Sequence, residues 1–316
     1  MIAFKDGLTI GGDSPIRVNC NIGCNKIEDI QSEISKIEFI QSCNELPDMM
    51  MDLSLIELEE PLYNYIKNNL GLPFGVVLSY HRFTKSKGYQ WEDIRDAFLQ
   101  LCYDGVSFVT IHFTADLDLF SRANQIRKIP VTSRGGGMVL YDSRINTRTQ
   151  NIFRENIDEI ANIALKHNVV ISLGTTFRPG TILDACDSVH IEETLRQLSI
   201  CRMLQSKGVK VMVENIGHIT LDKIATHSKL LSKFNAPIMP LGPLPTDAAI
   251  NEDHIANAIG ASFAAYIGCA HIINCVTRYE HSKSAITQDA IIEAIRAAKV
   301  AAHIADLSRN INKAYL

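Results

Sequence analysis

The chain has 316 residues, 46% of them hydrophobic and 21% charged, which suffices for a large core and excludes wholesale disorder. Lys and Arg number 31 against 35 Asp and Glu, a formal charge of −4, so nucleic acid, which needs a basic face, is not an expected partner. The length suits either two domains or one α/β barrel of about 250–300 residues.

The N-terminus, Met1-Ile-Ala-Phe-Lys-Asp-Gly7, lacks the basic-then-apolar pattern of a signal peptide, so a cytoplasmic protein is expected. β-branched runs predict strands at Ile16–Ile22, Met49–Leu55, Phe74–Ser79, Phe108–Phe113, Ile129–Ser133, Val169–Leu173, Val209–Glu214, Pro237–Leu241 and His271–Thr277. Apolar residues at helical spacing predict helices at Ile27–Cys43, Trp91–Leu101, Ile152–Leu165, Ile191–Leu204, Leu221–Phe234 and Ile286–Leu307. The first carries the stripe Ile27, Ile30, Ile34, Ile37 and Ile40. The uncharged stretch Ile259–Val276 is broken by Gly260 and Gly268 and turns β-branched in its second half. Helix-then-strand is the better reading there than a membrane span, and no membrane partner is expected.

Strand and helix alternate without a long linker, which means parallel strands joined by crossover helices. The expected fold class is α/β, a single (β/α)8 TIM-type barrel. One domain over residues 1–316 is expected, with an N-terminal extension at 1–15, a barrel core at 16–310 and one surplus strand among those predicted. A doubly wound sheet would more often carry a Gly-x-Gly-x-x-Gly turn after its first strand, and none is present. The eight cysteines include no Cys-x2-Cys pair, so ribbon-type zinc sites and common iron–sulfur motifs are absent from these residues.

In a barrel the chemistry sits where the strands end. Here those exits carry Asn21, Asp52, Tyr80, His112, Ser133-Arg134-Gly135-Gly136-Gly137, Thr175-Thr176-Phe177-Arg178, Glu214 and His218. Packing alone does not ask for polar groups at nearly every exit. The Ser133–Gly137 segment reads either as a phosphate cradle of backbone N–H groups and an arginine, or as a flexible turn. Arg122, Arg127, Lys128, Arg144 and Arg148 make its neighbourhood the most basic in the chain. Arg178 with its flanking hydroxyls and glycines reads as an oxyanion site or a plain connection. His218 and His281 can hold a divalent metal or simply be hydrogen-bonded strand-end histidines. Asn251 and Asp253 read as helix-start residues, and Met49-Met50-Met51 as core filler with Met51 near a strand exit. His81, His167, His190, His227 and His303 carry no functional pattern.

Together these segments resemble a known family. Val18-Asn-Cys-Asn-Ile-Gly23, Met51-Asp-Leu-Ser54, Thr110-Ile-His112, Ser133-Arg-Gly-Gly136, Arg178-Pro-Gly180, Val211-Met-Val-Glu-Asn-Ile-Gly-His218, Leu241-Gly-Pro-Leu244, Asp253-His254 and Glu280-His281 are similar, in order, to 4-amino-5-hydroxymethyl-2-methylpyrimidine phosphate synthase, the enzyme that makes the thiamine pyrimidine. The resemblance implies a (β/α)8 barrel, usually a homodimer, that binds an aminoimidazole ribonucleotide beside a divalent metal. It implies His218 and His281 as metal ligands, with zinc or iron as the metal. It implies substrate contacts from Asn21, Met51, Tyr80, His112, Ser133, Arg134, Gly135, Arg178 and Glu214, with Glu214 and His112 as the acid–base candidates.

The chain departs from the family pattern at several points. Thr175-Thr176-Phe177-Arg178 stands where the family usually has Asp-Gly-Leu-Arg, Met239 replaces a tyrosine, and Asn251-Glu252 replaces Gly-Tyr. A family Cys-x2-Cys-x4-Cys motif, which holds the [4Fe–4S] cluster that cleaves S-adenosylmethionine, is not found up to Leu316. S-adenosylmethionine and the cluster are therefore not expected on these residues. The expectation is a lyase-like enzyme acting on a phosphorylated small molecule, alone or with a separate cluster-bearing protein. The alternative is a non-catalytic ligand-binding or partner subunit.

Overall fold

In the computed structural model, which describes residues 1–282 and 285–309, eight parallel strands form a nearly closed barrel. They are β1 (Arg17–Ile22), β2 (Met49–Asp52), β3 (Phe74–Val77), β4 (Phe108–Ile111), β5 (Val170–Leu173), β6 (Val211–His218), β7 (Ile238–Leu244) and β8 (Ile272–Asn274). From β1 to β7 each strand pairs with the next in sequence, and β8 pairs with β1. At the seam between β7 and β8, the His271 N–H donates to the Ile238 carbonyl, 2.8 Å away. The strands are covered on both faces, which is why most read as unbroken apolar runs.

The principal helices are α1 (Ile30–Cys43), α2 (Trp91–Asp104), α3 (Leu117–Ile126), α4 (Arg134–Ile145), α5 (Ile157–His167), α6 (Ser188–Ser206), α7 (Leu221–Leu231), α8 (Asp253–Tyr266) and α9 (Gln288–Ser308). In α1, Ile34, Ile37 and Ile40 are buried against Val18, Cys20 and Ile22, the outward residues of β1. Truncating one such isoleucine to alanine costs about 2–5 kcal/mol in a well-packed core. Ile27, expected on the same stripe, lies in a preceding 3-10 turn and is exposed. Asn44, in a left-handed conformation at φ 54°, ends the helix. The uncharged stretch divides as expected between α8 and β8. No helix among the described residues is long and apolar enough to cross a membrane.

The inside of the barrel is layered. Met49, Phe108, Val170, Met212 and Ile272 fill its lower part, joined by Met51, Val77 and Met239 above. The N-terminal residues close the bottom. Ile2–Ala3 and Thr9–Ile10 form an antiparallel hairpin whose Phe4 stacks on Phe108 at 5.4 Å. Lys210 Nζ donates to the Ala3 carbonyl, and the Ser107 hydroxyl to the Asp6 carboxylate.

One expected strand is absent. Residues 129–133 form an irregular segment, because Pro130 lacks the N–H a ladder needs and Ser133 is committed to capping α4. That segment is the surplus ninth strand. The helices on either side of it, α3 and α4, were not expected, since three glycines in the first turn of α4 read as a loop. Strand β6 runs four residues past its expected end, to His218, through an irregularity at Ile216/His218. Asn310, the expected end of the barrel core, lies outside the described residues.

Candidate active site at the barrel mouth

Two imidazoles meet at the upper rim. His218 ends β6, and His281 follows β8 in a turn. Their Nε2 atoms face each other at 3.1 Å, with the rings edge-on at 75°. Each Nδ1 is tied to a carboxylate: His218 to Asp247 at 2.7 Å and His281 to Asp253 at 2.9 Å. Asp253 also accepts the His281 backbone N–H. An Nδ1–H donated to a carboxylate leaves Nε2 as a bare lone pair. Two such lone pairs pointing at each other call for a cation between them. Two nitrogens on one tetrahedral ion with bonds of about 2.0–2.1 Å stand about 3.3–3.4 Å apart, close to the spacing found here. Burial pulls the His218 pKa below its ordinary value, with the hydrogen bond to Asp247 opposing, which keeps the ring available as a neutral donor. The donor set therefore fits a divalent metal with open positions for water or ligand.

Asp253 lies in the first turn of α8, where a capping role was expected, but its carboxylate faces His281 and makes no N-cap bond. Asp247 lies in the loop between β7 and α8 and belongs to no motif in the sequence. A histidine's second partner leaves no spacing signature, so neither aspartate stood out.

Below the rim lies a polar layer. Glu214 points inward from β6, and its Oε1 accepts from the Thr110 hydroxyl at 2.7 Å and the Ser172 hydroxyl at 3.4 Å. It is 5% exposed, and burial raises its pKa above the usual carboxylate value despite both hydrogen bonds. Tyr80 follows β3 and borders this layer, near enough to Glu214, Arg134 and Arg178 to feel their charges. Asn21 Oδ1 accepts from Asn19 Nδ2 at 2.8 Å, and the same nitrogen reaches Asn274 Oδ1. Met51 packs with Val77, Met212 and Met239 directly beneath, so its side chain serves as core whatever else it touches.

The start of α4 enters this space. Ser133 caps the helix: its Oγ accepts from Gly136 N–H at 3.0 Å and lies 2.8 Å from His112 Nε2. The two share one hydrogen bond, which leaves the ring's other nitrogen, Nδ1. That Nδ1 is buried and has no hydrogen-bond partner among the described residues. Burial, aided by the Arg178 charge, depresses the His112 pKa to about 3. The ring is neutral near pH 7. Only glycine fits where α4 touches the site: a Cβ on Gly135 would lie 2.6 Å from His112 and Ser79 atoms, and one on Gly136 2.5 Å from Thr176 Oγ1. The backbone N–H groups of Arg134 and Gly135 have no acceptor among the described residues, so they are open to an anion at a helix start.

Arg178 is half-buried, and Nη1 makes a 3.2 Å bond to the Thr175 carbonyl. Its loop is held from behind by Glu193 of α6, a fully buried carboxylate that sequence reasoning missed. Glu193 accepts from Thr176 N–H at 2.6 Å, Phe177 N–H at 2.8 Å and the Thr114 hydroxyl at 2.7 Å. Arg134 is exposed, and its Nη1 donates to Asn25 Oδ1 at 2.8 Å. The other basic residues of this neighbourhood do not all join the site. Arg127 pairs with Asp187, and Arg148 with Asp142 and Glu155.

Ser79 Oγ, Thr175 Oγ1 and Thr176 Oγ1 are also buried without a partner among the described residues. Buried polar atoms are nearly always paired in folded proteins, so Ser79 and Thr176, which flank Gly135 and Gly136, mark where a polar ligand or water belongs.

A family model described as "Radical SAM ThiC family" matches residues 4–316. The chain belongs to that family. It is 35% identical to the phosphomethylpyrimidine synthase of Sulfurisphaera tokodaii, over 96% of this chain and 72% of that protein. It is 32% identical to the phosphomethylpyrimidine synthases of Thermotoga neapolitana, over 98% and 74%, and Carboxydothermus hydrogenoformans, over 97% and 73%. Among solved structures, 3-dehydroquinate dehydratase from Geobacillus kaustophilus superposes with a TM-score of 0.51 at 11% identity, covering 95% of this chain and 96% of that one. A Yersinia pestis dihydropteroate synthase gives 0.50 at 11%, covering 96% and 99%. At that identity these two speak only for the barrel fold.

The eight cysteines of this chain lie on separate elements or loops, with no Cys-x2-Cys spacing among them. These residues do not fit a [4Fe–4S] cluster, which takes at least three suitably spaced thiolates.

Proposed function

We propose that this member of the ThiC family is a metal-dependent, lyase-like enzyme that binds a phosphorylated imidazole- or nucleotide-like small molecule at the barrel mouth. The observation that carries the reading is the pair of Nε2 lone pairs of His218 and His281, 3.1 Å apart and each backed by a carboxylate. His218 and His281 would hold zinc or iron, which supplies Lewis-acid polarisation of a bound oxygen or nitrogen.

The chain's own residues do the rest. The open N–H groups of Arg134 and Gly135 and the guanidinium groups of Arg134 and Arg178 receive the phosphate. The Ser133 hydroxyl, already committed to Gly136 and His112, acts by shaping the helix start. His112 offers its unpartnered Nδ1 to the ligand and stays neutral near pH 7. Glu214, buried and with a raised pKa, takes or gives the proton at Oε2, the oxygen free of hydroxyl contacts. Tyr80 and Asn21 border the same space and orient the ring of the ligand. No radical step is assigned to these residues.

The test uses protein purified without oxygen. Elemental analysis measures bound metal, and a thermal-shift screen of phosphorylated imidazoles and pyrimidines finds the ligand. A ligand at 100 times its Kd stabilises by about 2.7 kcal/mol. The expected result is a metal at the mouth that is lost in His218→Ala, together with turnover. Ligand binding without turnover, and turnover only beside a cluster-bearing homologue, would favour a partner subunit. An active His218→Ala variant free of metal at the mouth would overturn the reading.

A further inference from the structure

We propose that Cys186, His190 and His227 form a second cation site, distinct from the mouth, for a soft or borderline ion such as Zn2+. One potential ligand atom from each residue lies within 4.8 Å of the other two. Three elements contribute. Cys186 sits in the loop after β5, His190 in the first turn of α6, and His227 on α7. Strand β6 runs behind them and presents Asn215, a residue that alternates with the inward Glu214.

Hydrogen bonding determines which ring nitrogens are free. Gln197 Nε2 donates to the carbonyls of Leu173, Gly174 and Glu214, so its Oε1 must accept. That oxygen accepts from Asn215 Nδ2 at 2.9 Å, and Asn215 Nδ2 also donates to Thr194 Oγ1. Asn215 Oδ1 is thereby turned toward the histidines, 2.9 Å from His227 Nε2 and 3.4 Å from His190 Nε2. Both rings present Nε2–H to this oxygen, so both Nδ1 atoms carry lone pairs. The His190 Nδ1 accepts only the Cys186 backbone N–H among the described residues, at 3.2 Å. An imidazole held through one N–H by an amide or carbonyl oxygen, with its other nitrogen bare, is the arrangement that orients metal-binding histidines.

The two rings stack at 4.2 Å and 26°. Cys186 is half-buried and adopts a left-handed backbone at φ 63°, a conformation disfavoured for residues other than glycine. Its Sγ makes only a long 4.0 Å contact to the Lys223 carbonyl among the described residues. On binding, the thiol proton leaves to solvent, the ion takes Sγ and two imidazole nitrogens, and water completes the set. His190 and Cys186 exchange their backbone hydrogen bond for bonds to the ion.

The ion would tie the loop ending at Asp187 to α6 and α7. That loop also contains Arg178, and Asp187 anchors Arg127, whose Nη1 donates to the Phe177 carbonyl. The role is a tether behind the mouth, with the thiolate as its spectroscopic mark.

The probe is Co2+ titrated into the full chain carrying His218→Ala and His281→Ala, so that the mouth pair is removed. The expected result is one equivalent of tightly held Co2+, a thiolate-to-cobalt charge-transfer band in the near ultraviolet, and a raised Tm. Adding Cys186→Ser should abolish the band. Absence of the band in the folded double variant, or its survival after Cys186→Ser, would overturn the proposal. If the double variant fails to fold, comparing the band in the unaltered chain with that in Cys186→Ser decides the same question. The mouth site contains no thiolate, so its own failure to bind metal would leave this band unchanged.

Discussion

Strand β6 serves two pairs of histidines that differ in almost every physical respect. His218 at its end meets His281 edge-on at the rim, with each Nδ1 on an aspartate. Asn215, three residues earlier, holds His190 and His227 stacked behind the barrel, with each Nε2 on one neutral amide oxygen. Carboxylate partners place negative charge behind the first pair, which suits an ion that must also bind an anionic ligand. An amide partner lends no charge, so the second pair needs its third ligand, Cys186, to supply a negative donor. The contrast shows that a histidine pair is defined by what holds its other nitrogen.

Removing a ligand from one pair should leave the other intact, and this is the largest effect expected. His218→Ala should lose the mouth metal and turnover while retaining the thiolate-to-cobalt band, read by elemental analysis and absorption on the same sample. Loss of both signals together would show the two pairs to be one coupled unit.

Glu214→Gln comes next. It removes the titratable group beside Asn215 on the same strand and should lower kcat by about 10²–10⁴-fold with metal content unchanged. A drop in metal content instead would make Glu214 part of the rim pair's support. Asp253→Asn should weaken metal binding at the mouth by about 10–100-fold, as loss of an outer partner does, without shifting Co2+ affinity at Cys186.

A separate effect, on stability against pH, concerns histidines in neither pair. Burial holds His112 at about 3 and His271 at about 4, both below the unfolded value near 6.5. A depressed pKa means the unfolded chain takes up the proton first. Stability from these groups is therefore complete above about pH 6.5 and is lost as pH falls through about 4 and then 3. Each contributes a slope of at most about 1.4 kcal/mol per pH unit in its window. Chemical denaturation from about pH 7 to about pH 4 checks this, and His271→Gln should flatten the part due to that residue.

The barrel was legible in the sequence because buried parallel strands write themselves as short β-branched runs between amphipathic helices. Residues 129–133 copied that texture without a ladder to join, and only Pro130 and the cap at Ser133 told against it. The three glycines after Ser133 read as a loop because helix propensity opposes them. They are helical because larger residues would collide with His112, Ser79 and Thr176, contacts that arise only once the chain has folded. His218 and His281 stood out through family resemblance, being 63 residues apart. Their aspartates, Glu193, and the cluster around Cys186 did not stand out. Each depends on which element packs against which, and hydrogen-bond direction settles the rest.

The hairpin beneath the barrel has a consequence for traffic. Phe4 and Ile10, both almost fully buried, sit among the lowest side chains of the barrel, so the hairpin covers that end of the axis. On the proposed function, ligand and product would both use the mouth at the opposite end. Whatever occupied the rim beside His218 and His281 would then stand in the path of that ligand.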